Sequence, residues 1–248
     1  MLALHGERVN QHYWDQAALA WDEHIMCSLH ENASGEIASL LARTARSHRN
    51  ILDYGCGVGG YLPLLSAKFV TVTAVDSSRA CLRQAAALAQ RLPNVKVLAA
   101  GDLPRRGGRR FDAVLMANVL IHPRETIRSA ILRHALAQLH RGGALILVLP
   151  SVESVHLAEA VRRARTRSRA CAYAAVPARR YEPGVIAIHG RATKHYAAAE
   201  IPLFLERQHL RVTKLQAAPY SWASEGFPAL DHKLKAQPWD WLVSAVLG

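Results

Sequence analysis

Short apolar runs alternate with helix-like segments along the middle of the chain. The runs that predict strands cover residues 51–53, 70–75, 95–99, 111–116 and 144–149. Between them, apolar residues recur three or four positions apart, which is the spacing of one helix face. Strands that are apolar on both faces and are separated by helices predict an α/β fold, with a parallel sheet covered by helices on each side.

The intervening helices are predicted from apolar stripes and from residues that start or stop helices. Ser34 is expected to cap a helix that presents Ile37, Leu40 and Leu41 on one face. Further helices are predicted over 61–69 and from the capping segment 76–78 to residue 89.

A longer helix is predicted to start at Pro123. Ile127, Ile131, Ala135 and Leu139 recur four apart along it, and the pair Gly142–Gly143 is expected to end it.

The regular alternation of predicted strands and helices ends after Pro150. The patterns predict a helix over 154–169, an alanine-rich loop over 171–180 and a short strand over 185–189. A helix over 197–209 and strands over 211–215 and 241–247 are expected to follow.

Polar residues and glycines gather just after the predicted strands. The glycine loop, Asp76, Asp102 and the segment 118–122 all follow strand ends. In an open parallel sheet, ligands bind at the carboxyl ends of the strands, where the strand order reverses. This convergence predicts a ligand site at that edge.

Length and composition set the broad class. The chain has 248 residues, of which 50% are hydrophobic, enough for one α/β domain with elaborations or two small domains. The sequence has no long uncharged apolar run, so no membrane span is predicted, and the N-terminus lacks an apolar signal core. We therefore expect a cytoplasmic protein.

The four cysteines, Cys27, Cys56, Cys81 and Cys171, are scattered without a C-x-x-C pair. This distribution favours reduced thiols over a disulfide framework or a zinc site, so no metal is predicted.

Basic residues exceed acidic ones by 31 − 19 = 12. A net charge this positive suggests nucleic acid or an anionic substrate as a partner. The arginines are spread over many segments, however, and their clusters are not interleaved with aromatic residues. A solvated basic surface is the favoured explanation, and nucleic acid is not the favoured partner.

The segment 51–65 allows two cofactors. Gly55, Gly57 and Gly60 form the G-x-G-x-x-G pattern of dinucleotide-binding loops. With Asp53 counted in, Gly55, Gly57 and Gly59 suggest instead a loop for S-adenosylmethionine (SAM).

The rest of the chain favours the second cofactor. The pieces LDYGCGVGG, VTAVDSS, GDLP, FDAVLMANVLIHP and LHRGGALILVLP follow one another over residues 34–150. In this order the sequence resembles the class I SAM-dependent methyltransferases. Asp53 before the glycines, the long preamble and the closing strand distinguish it from a nicotinamide fold. The resemblance implies a three-layer, doubly wound, Rossmann-like seven-stranded sheet, mostly parallel, with an antiparallel last strand.

The resemblance also implies cofactor-binding roles. Asp76 would accept both ribose hydroxyls, with a helix cap as the alternative. Asp102 would accept from the adenine amino group, with Leu103 near the ring, or would serve only as a turn aspartate. Asp53 and the Asn118 carbonyl would face the methionyl ammonium. The remaining members of this predicted set are Gly55, Cys56, Gly57, Gly59 and Ser77.

Candidates for the acceptor side lie in two segments. His122 follows the fourth strand and is a candidate general base, with the start of a helix as the alternative. Lys194, His195 and Tyr196 are candidates for acceptor contact, with a polar helix start as the alternative.

The resemblance leads to a domain layout and a function. We expect a helical cap over 1–33, a cofactor-binding core over 34–150, an acceptor-side cover over 151–190 and completion of the sheet over 191–248. Tyr13, Trp14 and Trp21 of the cap would form part of a lid or pack on the sheet. The predicted activity is methylation of a small molecule on oxygen, nitrogen or carbon. The alternatives are an RNA or protein methyltransferase, a non-catalytic binding module and, more distantly, a nicotinamide reductase.

Overall fold

The computed structural model describes Asp15 and residues 35–103, 108, 110–165, 173–175, 182–188 and 191–248. The helices are α1 (Glu36–Thr44), α2 (Leu62–Lys68), α3 (Arg79–Ala89), α4 (Glu125–Leu136), α5 (Val152–Arg165) and α6 (Glu200–Glu206). The strands are β1 (Asn50–Tyr54), β2 (Thr71–Asp76), β3 (Val95–Ala99), β4 (Phe111–Ala117), β5 (Leu139–Pro150), β6 (Tyr173–Ala175), β7 (Val185–Ile188), β8 (Arg191–Lys194), β9 (Leu210–Pro219) and β10 (Trp239–Leu247).

Seven strands form the main sheet, in the order β3-β2-β1-β4-β5-β10-β9. β10 runs antiparallel to both of its neighbours, and the other pairs in the sheet are parallel. This confirms the predicted fold, including the antiparallel strand that comes last in the chain. The order reverses between β1 and β4, so the loops that follow these two strands diverge there.

Two apolar clusters lie on opposite faces of the sheet. Alternate residues of β1 separate accordingly, because Ile51 belongs to one cluster and Leu52 to the other. Helices α1 and α2 cover the face of Ile51 with side chains such as Ile37 and Leu65. Helices α4 and α6 cover the other face with Leu132 and Phe204. The molecule therefore has the three layers that continuous apolar strands require.

The predicted boundary between α4 and β5 is wrong. α4 ends at Leu136, and both Gly142 and Gly143 lie inside β5. The pairing of β5 with β4 shifts register at this point, and Gly142 has a φ of +76°. A Cβ on Gly143 would lie 2.9 Å from the Asp112 carbonyl oxygen. The two glycines thus form a strand irregularity rather than a helix end.

The apolar stripe predicted for α4 is also shifted. The buried positions of this helix are Arg128, Ser129, Leu132, Ala135 and Leu136. Ile127 and Ile131 are only partly buried. The stripe was misplaced because a buried arginine and a buried serine do not look apolar in the sequence.

In the C-terminal half, most helices and strands are of the predicted type, but their bounds differ from the predicted ones. α5 begins two residues earlier than predicted, because the Ser151 hydroxyl accepts a hydrogen bond from the Ser154 N–H at 3.0 Å. α6 covers only part of the predicted helix, and the described part of segment 171–180 is strand β6, not loop. β6, β7 and β8 form a separate antiparallel sheet. The predicted lid residues Tyr13, Trp14 and Trp21 lie outside the described residues, as do Cys27, Cys171 and residues 166–169.

Within the described part of the chain, no helix is long and apolar enough to cross a membrane.

Candidate cofactor and acceptor site

The carboxyl ends of β1, β2 and β4 bring the predicted site residues to one edge of the sheet. Asp53 is the fourth residue of β1, Asp76 ends β2, and Asn118 follows β4 directly. β1 is hydrogen-bonded to both of the other strands. The three polar side chains are therefore positioned by rigid strands on both sides of the reversal point.

A glycine loop connects β1 to α2 at this edge. Gly55, Gly57 and Gly59 all have left-handed backbone angles, with φ of +80°, +54° and +94°. The N–H groups of Gly55 and Cys56 donate to the Val75 carbonyl at 2.7 and 3.0 Å, which ties the loop to β2. Glycine suits these positions because a side chain disfavours this backbone region.

Neighbouring protein atoms also exclude side chains from this loop. A Cβ on Gly55 would lie 2.5 Å from Cγ2 of Val119, in the segment after β4. A Cβ on Gly59 would lie 2.9 Å from Leu62 Cδ1 and 3.3 Å from the Ala85 Cα. Two of the glycines thus allow close packing of the loop on the protein itself, which the sequence pattern did not reveal.

Cys56 is buried inside the loop. Its thiol contacts the Gly57 carbonyl at 3.5 Å, and burial raises the pKa of this thiol well above its usual value. Cys56 is therefore a neutral packing residue at neutral pH.

Asp76 accepts two backbone hydrogen bonds. Its Oδ2 accepts from the Gly57 N–H at 2.9 Å, and its Oδ1 accepts from the Ser78 N–H at 2.8 Å. Burial raises the pKa of Asp76, and these N–H groups partly oppose the rise. The cap of α3 is Ser78, whose hydroxyl accepts from the Cys81 N–H. Each carboxylate oxygen of Asp76 retains further acceptor capacity.

Asp53 is 1% exposed, and its Oδ2 has no hydrogen-bond partner among the described residues. Burial, and then the charge of Asp76, raise the pKa of Asp53 to about 7. A buried acceptor without a donor is costly, so this oxygen calls for a donor from a ligand. A cation held there would also compensate the repulsion between the two carboxylates.

Asp15 from the N-terminal segment reaches the same corner. Its Oδ1 accepts from the Ser78 hydroxyl at 2.6 Å and from the Ala80 N–H at 3.1 Å. An acidic side chain is favourable at the start of α3 because of the helix dipole. This contact was not predictable from the sequence, since nothing in the local pattern connects residue 15 to residue 78.

The turn after β3 carries Asp102 and Leu103. Asp102 is exposed, whereas Leu103 is buried in the core on the side of α4. An open groove of about 440 Å³ between α3 and β3 includes Asp102 in its wall, together with Leu82, Val97 and other residues. Ser77, after Asp76, is exposed.

Asn118 has a φ of +55°, and its N–H donates to the Val148 carbonyl at 2.9 Å. A left-handed backbone is uncommon for a residue other than glycine, and asparagine tolerates it best. This conformation turns the chain away from β4 and brings Val119 over Gly55.

His122 lies further along the same segment. Its Nδ1 accepts from the Arg124 N–H at 3.1 Å, so the neutral ring carries its proton on Nε2. Burial lowers the pKa of His122, and the charges of Arg124 and Arg128 lower it further. At neutral pH, His122 is therefore a hydrogen-bond donor through Nε2.

The segment of Lys194, His195 and Tyr196 is buried. Lys194 forms an ion pair with Glu200 at 2.7 Å, and the Tyr196 hydroxyl donates to the Leu120 carbonyl at 2.6 Å. The Nδ1–H of His195 donates to the Thr193 carbonyl, and burial lowers the pKa of this ring to about 4. These contacts give Lys194 and Tyr196 structural roles in a buried segment rather than in a polar helix start, and contact of Lys194, His195 or Tyr196 with an acceptor stays a prediction.

Among the described residues, no group of three His, Cys, Asp or Glu side chains is arranged to hold a metal ion. The carboxylates of the candidate site are acceptors for hydroxyl, amino and ammonium groups.

The chain matches known proteins in its fold and in one family model. The family model of a methyltransferase domain matches residues 29–185. No curated protein shows significant sequence similarity to the chain.

Among solved structures, a DhpI-SAM-HEP complex has 17% identity and a TM-score of 0.62, and the alignment covers 100% of this chain and 99% of that one. Magnesium protoporphyrin IX methyltransferase from Synechocystis PCC 6803, with bound S-adenosylhomocysteine (SAH), has 15% identity and a TM-score of 0.64, with 97% and 99% covered. Burkholderia thailandensis 1,6-didemethyltoxoflavin-N1-methyltransferase, with its substrate and SAH, has 18% identity and a TM-score of 0.59, with 99% and 88% covered.

These likenesses agree with the sheet order and with the glycine loop at its reversal point. With more than half of its length matched by the family model, the chain belongs to the methyltransferase domain family.

Proposed function

We propose that this chain is a SAM-dependent methyltransferase that acts on a small-molecule acceptor. The observation that carries the proposal is the buried carboxylate of Asp53, whose Oδ2 has no partner among the described residues. It lies beside the glycine loop and near Asp76, at the reversal point of the sheet. A cationic amino group is the ligand chemistry that this oxygen fits best.

The residues present fit SAM in three places. Asp53 would hold the ammonium, Asp76 would accept from the ribose hydroxyls through its remaining lone pairs, and Asp102 would accept from the adenine amino group. Asn118 would add its carbonyl to the ammonium. When bound, SAM supplies a methyl group that is already activated on a sulfonium.

The proposed methyl transfer requires the protein mainly to orient the methyl donor and the acceptor. The strands and the glycine loop fix the donor side, so that an acceptor held in line gains from proximity. His122 would donate a hydrogen bond to the acceptor through Nε2, because its Nδ1 is already occupied by the Arg124 N–H. This geometry favours an orienting role for His122 over that of a general base.

A small molecule is the acceptor that we favour. Asn118 is followed by Val119 and Leu120, so the chain lacks the NPPY-like tetrapeptide that marks amino groups of bases or glutamine in this family. The structural neighbours named above include methyltransferases for magnesium protoporphyrin IX and for 1,6-didemethyltoxoflavin. Residues 151–190 are our candidate for the acceptor-side cover.

Ligand titration tests the proposal. The purified chain is titrated calorimetrically with SAH, with SAM and with NADH. We expect binding of SAH and SAM and none of NADH. Incubation with methyl-labelled SAM and a panel of small hydroxyl, carboxyl and amino compounds then tests turnover. Binding of NADH in place of SAH would overturn the proposal, and SAH binding without turnover on any acceptor class would favour a binding module.

A further inference from the structure

Three consecutive backbone carbonyls in the acceptor loop, which we define as residues 118–124, are each held from outside the loop. The bonds run from Tyr196 Oη to the Leu120 oxygen at 2.6 Å, from the Lys194 N–H to the Ile121 oxygen at 2.9 Å, and from Arg128 Nη1 to the His122 oxygen at 2.6 Å. Loops normally leave such carbonyls to solvent. Here the chain provides three separate donors for them.

Arg128 is the central donor of this arrangement. It is 1% exposed, and its Nη2 forms a 2.6 Å ion pair with Glu182, which precedes β7. One guanidinium therefore joins the acceptor loop to the segment that leads into the β6-β7-β8 sheet. A fully buried arginine is rare and is retained only with charged and hydrogen-bonding partners.

Tyr196 connects the two cations of the arrangement. Its ring lies 5.8 Å from the Arg128 guanidinium and 5.1 Å from the Lys194 ammonium. Lys194 in turn pairs with Glu200 and donates to the Pro183 carbonyl. Two buried cations are thus neutralised by two carboxylates around one aromatic ring, which fixes the ring and its hydroxyl.

The held loop carries residues to which the proposed function assigns site roles. Asn118 begins it, Val119 contacts the position of Gly55, and His122 presents Nε2–H. A shift of the three carbonyls would move all of these groups together. The ion pair with Glu182 makes that position depend on the neighbouring small sheet.

We propose that Arg128 and Tyr196 are positioning residues, which hold the acceptor loop so that His122 presents its Nε2–H to the methyl acceptor. This inference rests on the proposed function and deepens it. It assigns both residues an indirect role, since neither is required to touch the acceptor.

The test uses the full chain with ¹⁵N-labelled histidine and saturating SAH. We expect His122 of the wild type to be the Nε2–H tautomer in its ring nitrogen spectrum. In Arg128→Met and Tyr196→Phe we expect a mixture of both tautomers and faster amide exchange over residues 119–122. SAH affinity should change less than about threefold, because none of the SAH contacts that we assign uses either residue.

Two controls separate positioning from charge and from general stability. Arg133→Met changes an exposed arginine on the same helix, and Arg124→Gln removes a charge near His122 but keeps the backbone N–H that His122 accepts. Both should retain the wild-type tautomer. Tyr196→Phe and Glu182→Gln carry the test if Arg128→Met does not fold.

An unchanged tautomer and unchanged amide exchange in folded, SAH-binding variants would overturn the inference. Loss of folding in all three variants would also overturn it, since the cluster would then serve folding alone. Failure of the wild type to bind SAH would instead reject the proposed function, so the two failures are distinguishable.

Discussion

At the scale of single residues, two carboxylates on adjacent strands mark the candidate site. Asp53 is buried and Asp76 is nearly so, and burial raises the pKa of both. Asp76 is stabilised by two backbone N–H groups, whereas Oδ2 of Asp53 has no donor among the described residues. The two carboxylates therefore suit different groups of a ligand. Asp76 has spare capacity to accept hydrogen bonds, and Asp53 would be stabilised by a positively charged donor.

Replacing Asp76 tests its assigned contact with the ribose. We expect Asp76→Ala to weaken SAH binding by ~1–3 kcal/mol, the scale of a lost charge-assisted hydrogen bond. Calorimetric titration measures the change. Asp112→Ala is the matched control, because Asp112 also accepts two backbone N–H bonds, from Arg49 and Asn50, but lies at the amino end of β4. Equal SAH affinity in the wild type and in Asp76→Ala would reject the ribose contact.

The pH dependence of binding tests Asp53. In the free chain the pKa of Asp53 is raised to about 7, and a bound ammonium lowers it, so the complex binds fewer protons below that pH. SAH affinity should therefore increase from about pH 5.5 to about pH 7, by at most about tenfold per pH unit, and then level off. In Asp53→Asn the affinity should be lower and the profile flat. A wild-type profile without this rise would contradict the role of Asp53.

The same pKa affects the ligand-free fold in the opposite sense. The folded chain holds a proton on Asp53 that the unfolded chain releases near pH 4, so this residue's contribution to the free energy of unfolding decreases as pH rises from about 4 to about 7.

At the scale of elements, the glycine loop is constrained by the protein as well as by its backbone angles. Gly55 lies against Val119 of the acceptor loop, and Gly59 lies against Leu62 and α3. The loop therefore positions three elements relative to one another in addition to leaving space for a ligand. A side chain in the loop has a cost even without ligand.

Gly55→Ala tests this packing. The new Cβ meets Val119 at 2.5 Å and the φ of +80° is unfavourable, so we expect a loss of about 2–4 kcal/mol in the free energy of unfolding. Gly226→Ala is the matched control, because its φ is +83° and a Cβ there meets nothing within 4 Å. It should lose only ~1 kcal/mol. Urea denaturation measures both.

The double variant Gly55→Ala/Val119→Ala separates the contact from the backbone strain. Removing the Val119 methyl groups should recover part of the loss, as expected for two residues in contact. Strictly additive losses would contradict the packing role of Gly55.

Elements with a strong local signal were predictable from the sequence, and those that depend on partners were not. The bounds of β3 were predicted correctly because polar and turn-forming residues lie on both sides of its mostly apolar run. Gly142 and Gly143 were misinterpreted because a glycine pair can equally end a helix or distort a strand, and only the pairing with β4 decides. Arg128 was missed because a buried arginine is recognised only by its partners.

The candidate site was likewise predictable from the sequence only in part. The positions of Asp53 and Asp76 followed from strand ends, which the sequence specifies. The contacts of Lys194 and Tyr196 did not, since they depend on carbonyls more than seventy residues away. Asp15 is similarly separated from Ser78 by 63 residues.

At the scale of the whole molecule, the net charge of +12 is the main feature to which the proposed function assigns no role. A basic surface attracts nucleic acid without sequence preference, and that attraction falls steeply with salt. We expect binding to bulk RNA to disappear between about 50 and 200 mM salt. Methyl-labelled SAM should give no incorporation into RNA, with Asp76→Ala as the blank. Salt-resistant binding together with incorporation would favour an RNA methyltransferase.

We propose that the reversal point of the sheet, with Asp53 and Asp76, binds a cationic nucleoside. A crystal structure of the chain with SAH tests it most directly. We expect the SAH ammonium within hydrogen-bond distance of Asp53 Oδ2 and both ribose hydroxyls on the Asp76 carboxylate. SAH bound elsewhere, or side chains filling this crevice in the complex, would contradict it.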